Sequence, residues 1–143
     1  MKILLLIFTL FTITIVQLVG QNRYLEQQKN AEEKDKIRYI TDTINGVYIP
    51  KNLEDCFVQI NSFWADSTKV KMKKLPENEF SGMLHHGFGT WIRNNWQLWG
   101  GSRLSKYFND LGIYHPDDMS GIILDSYHRH LNDNEIKLEE QVK

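Results

Sequence analysis

One cysteine, three prolines and no excess of charge of either sign set the first limits on this chain. Cys56 is alone and cannot close an intramolecular disulfide, so a disulfide scaffold is excluded and an exported form would rely on its core. With 17 Lys+Arg against 18 Asp+Glu the net charge is −1, and losing Lys2 with a cleaved leader would leave 16 against 18, or −2. Such a balance builds no field that would hold nucleic acid or anionic lipid. Nine glycines in 143 residues are too few for a collagen-like chain, and 12% aromatic residues argue against disorder throughout. What is present is the composition of one globular domain, 41% hydrophobic and 24% charged. A chain of about 120 residues can bury roughly two-thirds of its unfolded surface.

The long apolar run stands at the start. Met1-Lys2 precedes Ile3 to Val19, which carries no charge, and Gly20-Gln21 comes next. One positive residue, an apolar stretch and a small residue at its end have the layout of a bacterial secretory signal peptide. Seventeen residues at about 1.5 Å each reach roughly 25 Å, near the lower limit for a hydrocarbon core of about 30 Å, so an uncleaved anchor is the alternative. Residues 1–20 are therefore expected to be a signal peptide or N-terminal membrane anchor, with a tether through residues 3–19 in the second case. Either way the rest is expected to be exported: periplasmic, extracellular, or anchored and facing outward. Residues 21–45 are polar and charge-mixed, and Glu26 to Lys36 lacks an apolar stripe, as in a solvated helix or disordered stalk. Ile37, Ile40 and Ile44, at spacings of three and four, predict that the end of this stalk docks on the domain C-terminal to it.

Residues 46–143 read as helices with short breaks. Asn52 can cap a helix over Leu53 to Trp64, with Leu53, Phe57, Ile60 and Trp64 on one face. Asp66 or Ser67 starts a short basic helix that ends before Pro76, and another runs from about Glu77 through the tryptophan-rich stretch to Gly100-Gly101. Ser102 caps Arg103 to Leu111, Gly112 ends that helix, and Pro116 opens a last one with Met119, Ile122, Ile123, Tyr127 and Leu131 on its apolar face. No segment alternates with period two for long, so a sheet is not expected. The expected fold is all-α, a small orthogonal bundle of about four to five helices after the leader and stalk.

The stretch His86-Gly87-Phe88-Gly89-Thr90-Trp91-Ile92-Arg93-Asn94-Asn95-Trp96-Gln97-Leu98-Trp99-Gly100-Gly101-Ser102-Arg103-Leu104 is succeeded by Lys106-Tyr107-Phe108 and by His115-Pro116-Asp117-Asp118-Met119-Ser120. This pattern resembles an uncharacterised bacterial family, a domain of unknown function, over about Tyr48 to Lys143. The resemblance implies membership and carries no reaction, ligand or catalytic residue with it. It also implies that many members have glycine in place of Gln97 and leucine in place of Phe88.

Advancing about 100° per residue from Phe80 puts Leu84, Phe88, Trp91, Ile92, Trp96, Leu98 and Trp99 in one apolar arc. Asn95 falls near the centre of that arc and is expected to be buried and paired, by backbone near Gly100-Gly101 or in a polar pocket flanked by tryptophans. Arg93 and His86 fall outside it. Gly87 and Gly89 inside a helix predict close packing or a break in the helix. Gly100-Gly101-Ser102-Arg103 ahead of a helix could hold an anion, although Gly-Gly before a capping serine is an everyday junction. Asp117 and Asp118 are explained by the start of their helix, and His128 to His130 by its end. His85, His86, His115, His128 and His130 show no His-Glu-x-x-His spacing, so neither a metal nor a cofactor is expected. Cys56 beside Phe57 reads as packing, and no Gly-x-Ser-x-Gly, Walker loop or paired-cysteine motif is present.

The candidate binding residues are His86, Arg93, Asn95, Arg103, His115 and Asp118. The leading expectation is a non-catalytic module for a protein, peptide, glycan or other envelope component, with no nucleic acid involved. The alternatives are a small hydrolase or transferase using His, Asp and Arg residues of positions 85–120, and a toxin-neutralising, immunity-type partner protein.

Overall fold

Helix starts coincide with the capping residues. Asn52, extended at φ −159°, accepts the Asp55 amide on Oδ1 at 3.0 Å and opens α2, Leu53–Phe63. Ser102 accepts the Ser105 amide, and Ser105 Oγ accepts the Ser102 amide at 2.7 Å, a reciprocal cap at the start of α6, Arg103–Asp110. Pro116 begins α7, Pro116–Leu131, and His115 Nδ1 accepts the Asp117 amide at 3.3 Å ahead of it. The remaining helices are α1, Lys2–Ile40; α3, Asp66–Lys73; α4, Glu77–Leu84; α5, Thr90–Asn95; and α8, Leu138–Gln141. The computed structural model describes the backbone of residues 2–141 and the side chains of residues 15–141.

The chain divides into two units, Met1–Lys36 and Ile37–Lys143. In the first, α1 is exposed from Ile15 to Lys36, and Gln28 Nε2 donates to the Tyr24 hydroxyl at 2.9 Å. The polar run from Gln21 onward is thus a solvated helix. The leader expected at residues 1–20 falls largely outside the described side chains. Among the described residues, no helix is long and apolar enough to cross a membrane.

The second unit is mostly helical and begins with the last turn of α1. Docking there is polar, contrary to the isoleucine spacing: Ile37 and Ile40 are exposed, whereas Arg38 and Tyr39 are half-buried. Arg38 Nε donates to the Gly101 carbonyl at 2.8 Å and Nη2 to Gln97 Oε1 at 3.1 Å. A hairpin not expected from the sequence comes next, with β1, Thr43–Ile44, antiparallel to β2, Val47–Tyr48. Its turn residues Asn45 and Gly46 both have positive φ, 52° and 78°, which suits the two-residue turn of a right-twisted ribbon.

Behind the hairpin, α7 is the central element and packs against α2, α3, α4, α5, α6 and α8. Its Met119, Ile123, Leu124 and Tyr127 are buried with Ile60, Phe80, Ile92, Trp96 and Phe108 in one core. Complete burial of a side chain of this size is worth about 1.5–3 kcal/mol, which is why α7 turns its apolar stripe inward.

The tryptophan-rich stretch departs from an uninterrupted α-helix. Residues His85–Gly89 form a π-turn between α4 and α5, and α5 ends at Asn95. A π-turn adds a residue to the ladder and so changes the phase of everything after it. Trp96 and Ile92 are fully buried as expected, Trp91 only partly, and Trp99 is 57% exposed. Gln97 has φ 55°, the left-handed backbone that favours glycine, which accords with the residue the resemblance implies there. Close packing holds at Gly89, where a Cβ would meet Arg93 Nη1 at 3.2 Å, and does not hold at Gly87, where it would meet nothing within 4 Å.

Candidate functional site

The change of phase decides where Arg93 goes. The plain helical projection leaves it outside the apolar arc, yet its side chain is 8% exposed. An unpaired guanidinium there would be untenable, and the surrounding elements supply its partners. Nη1 donates to Ser120 Oγ at 2.8 Å, Nη2 to Thr90 Oγ1 at 2.9 Å and to the His85 carbonyl at 3.5 Å, and Nε faces Asp117 Oδ1 at 3.1 Å. The π-turn, α5 and the first turn of α7 are therefore joined through one side chain.

Asp117 is the second centre. His85 Nε2 stands 3.9 Å from its Oδ1, and His115 Nδ1 3.6 Å from its Oδ2. Because His115 Nδ1 already accepts the Asp117 amide, it carries no proton in this arrangement. The His115 ring meets the exposed Trp99 edge-on, with centroids 5.7 Å apart.

Next to this cluster lies an open groove of about 750 Å³. One wall is a stripe of α7 containing Asp118, Gly121, Ile122, Asp125 and Arg129; Tyr114 and His115 form part of a second, and Glu140 and Gln141 of α8 a third. Four carboxylates, Asp117, Asp118, Asp125 and Glu140, line it against one guanidinium, that of Arg129. Arg129 is itself occupied: Nε and Nη2 bind the two Glu77 oxygens at 2.8 and 2.7 Å, and Nη1 donates to the Ile136 carbonyl at 2.6 Å. The Arg129 hydrogen bond and its charge hold the Glu77 carboxyl below its ordinary pKa, against partial burial that raises it. Asp117 is held by Arg93, Asp125 accepts the Ser81 hydroxyl, and Glu140 pairs with Lys137 at 3.2 Å. Asp118 makes no ion pair among the described residues and is exposed. A Cβ added to Gly121 would meet nothing within 4 Å, so its missing side chain leaves space in the groove without relieving any internal contact.

Of the six residues chosen from the sequence, His115 and Asp118 line the groove and Arg93 lies behind it. The other three sit apart from its lining. His86 is exposed, and only its backbone is engaged, its carbonyl accepting Thr90 Oγ1 at 2.9 Å. Asn95 is half-buried, and its Nδ2 donates to the Trp91 carbonyl one turn back at 2.9 Å, not to the Gly100-Gly101 junction. Arg103 lies over the Tyr48 ring at 4.9 Å and donates from Nε to the Ile49 carbonyl at 2.6 Å, which fastens the segment after the hairpin to α6. That contact, and Arg38 on Gly101, occupy the junction where an anion could have been held.

Sequence reasoning left His85 and Asp117 out of the candidate set. The signal for Asp117 was its i, i+3 spacing to Ser120 on the face that carries Met119 and Ile123. No catalytic nucleophile is set up. Ser120 Oγ donates to the Asp117 carbonyl at 2.9 Å while accepting from Arg93, and burial pushes the Cys56 thiol well above its ordinary pKa, with Asp55 adding to it. Among the described residues, no group of three or more His, Cys, Asp or Glu could hold a metal ion.

Fold and groove together define a small all-α domain, with one buried arginine–aspartate clamp beside an acidic cleft. The chain belongs to the family described as Domain of unknown function (DUF6794), whose model matches residues 49–131. No curated protein and no solved structure matches it.

Proposed function

We propose that this domain is a non-catalytic binding module that receives a segment of another polypeptide in the groove along α7. The observation that carries the reading is the groove's construction: it is open, it is deepened by a glycine within a helix, and the polar groups nearest it are largely tied up inside the protein. Glycine within a helix costs about 1 kcal/mol relative to alanine, and neither a positive φ nor a close neighbour accounts for Gly121. An enzyme of the hydrolase or transferase class needs a free nucleophile or base aimed at substrate, whereas Ser120 and Arg93 are spent on each other and on Asp117.

Trp99, edge-on to His115 at the groove, supplies a reporter. Titrating the full chain with acidic, apolar and basic short peptides should change Trp99 emission with at least one of them. Trp99→Phe should remove the signal, and Gly121→Met should block the binding by filling the groove. Emission unmoved by every peptide, or moved equally in Gly121→Met, would refute the reading.

The export of the module is part of the same proposal, supported by Lys2 ahead of the uncharged run Ile3 to Val19. Residues 1–20 fused to a reporter that is active only outside the cytoplasm should switch it on. A silent reporter that is nonetheless well expressed would argue against export.

A further inference from the structure

We propose that the groove selects a basic segment, a lysine or arginine side chain of the partner polypeptide entering over Gly121. This rests on the groove being a peptide site. Three independent features agree on the chemistry. The first is charge: Asp118 and Asp125 face the groove with no cation paired to them among the described residues, while the Arg129 guanidinium is satisfied by Glu77 and Ile136. The second is shape. Gly121 leaves room beside Ile122 on α7, and Ile122 and Ile113 give an apolar track against which a long alkyl stem can lie before its charged end meets carboxylate. The third is the aromatic edge. Tyr114, 73% exposed and lining the groove, offers a ring face to a cation entering it. An acidic segment would meet four carboxylates, and a purely apolar one would bury Asp118 without a partner.

The test uses the full chain and two matched peptides, one with two lysines and one with norleucine in their place. The lysine peptide should bind about tenfold or more tightly, as complementary charge discriminates partners. Its affinity should fall as salt rises, since opposite charges near a surface are screened at roughly 10 Å in about 0.1 M salt. Asp118→Asn should weaken the lysine peptide several-fold and leave the norleucine peptide unchanged, and Gly121→Met should abolish both. Circular dichroism melts of the two variants confirm that each is folded.

Equal binding of the two peptides, both lost in Gly121→Met, would overturn the basic preference and leave the peptide site intact. Absence of binding by any peptide would remove the site and the preference together. Free spermidine binding as tightly as the lysine peptide would overturn the assignment to a polypeptide, because the backbone would then contribute nothing.

Discussion

Arg93 shows how one side chain can be both structural and decisive for a site. Its fork joins Thr90, Ser120, the His85 carbonyl and Asp117, an arrangement that a lysine with one nitrogen cannot reproduce. Arg93→Lys should therefore lower unfolding free energy by about 2–4 kcal/mol in urea titrations, the scale for breaking a buried ionic network at one partner. An unchanged midpoint would mean the clamp contributes nothing. Asn95→Ala, by contrast, removes only a hydrogen bond to the preceding turn and should stay within about 0.5 kcal/mol. The sequence favoured the opposite ranking, because a constant 100° per residue carried Asn95 to the centre of the apolar arc and Arg93 out of it. Asp117 and His85 were hidden for a related reason: a carboxylate in the first turn of a helix already has an explanation, and its second role depends on an arginine 24 positions earlier in the sequence.

At the scale of elements, the caps were legible and the irregularities were not. Asn52, Ser102, Gly112 and Pro116 mark helix ends through local chemistry, and the helices begin and stop beside them. The hairpin escaped because two residues on each side are too few for alternation, although Asn45-Gly46 was itself the signal. No composition rule marks the π-turn, since its i to i+5 bonding is fixed by how α4 and α5 each pack on α7. The interior of α7 offers a direct test. Gly121→Ala should raise stability by about 0.5–1 kcal/mol, a gain in melting temperature of a few degrees, because a better helix former is added where nothing stands in its way. A loss instead would place a neighbour where the structure shows open space.

For the molecule as a whole, alkali probes the core and truncation probes its edge. Tyr127 is fully buried, donates to Asn61 Oδ1 at 2.9 Å, and has its pKa pushed up by burial from 10.0 to about 12. A raised folded value means that this contribution is complete below pH 10 and is lost as pH rises towards 12; the loss should be on the order of 2–3 kcal/mol. Tyr127→Phe should flatten that part of the stability profile, and an equally steep fall in the variant would assign it elsewhere. A chain beginning at Ile37 should melt like the full chain. One beginning at Gly46 loses the Arg38 bonds to Gly101 and Gln97 and should be weaker by about 1–3 kcal/mol. Identical melting of the two truncated chains would show that the end of α1 adds nothing to the fold.

The π-turn also bears on inheritance. Side chains before it and after it are phased independently, so a single-codon deletion within His85–Gly89 would restore an ordinary helix and rotate α5 by about 100°. Phe80 would keep its place in the core, but Ile92 would turn away from it and Arg93 away from Asp117. Missense changes at exposed positions there, such as Gly87, carry no such displacement. In this five-residue interval the number of codons is under stronger selection than the identity of the exposed ones.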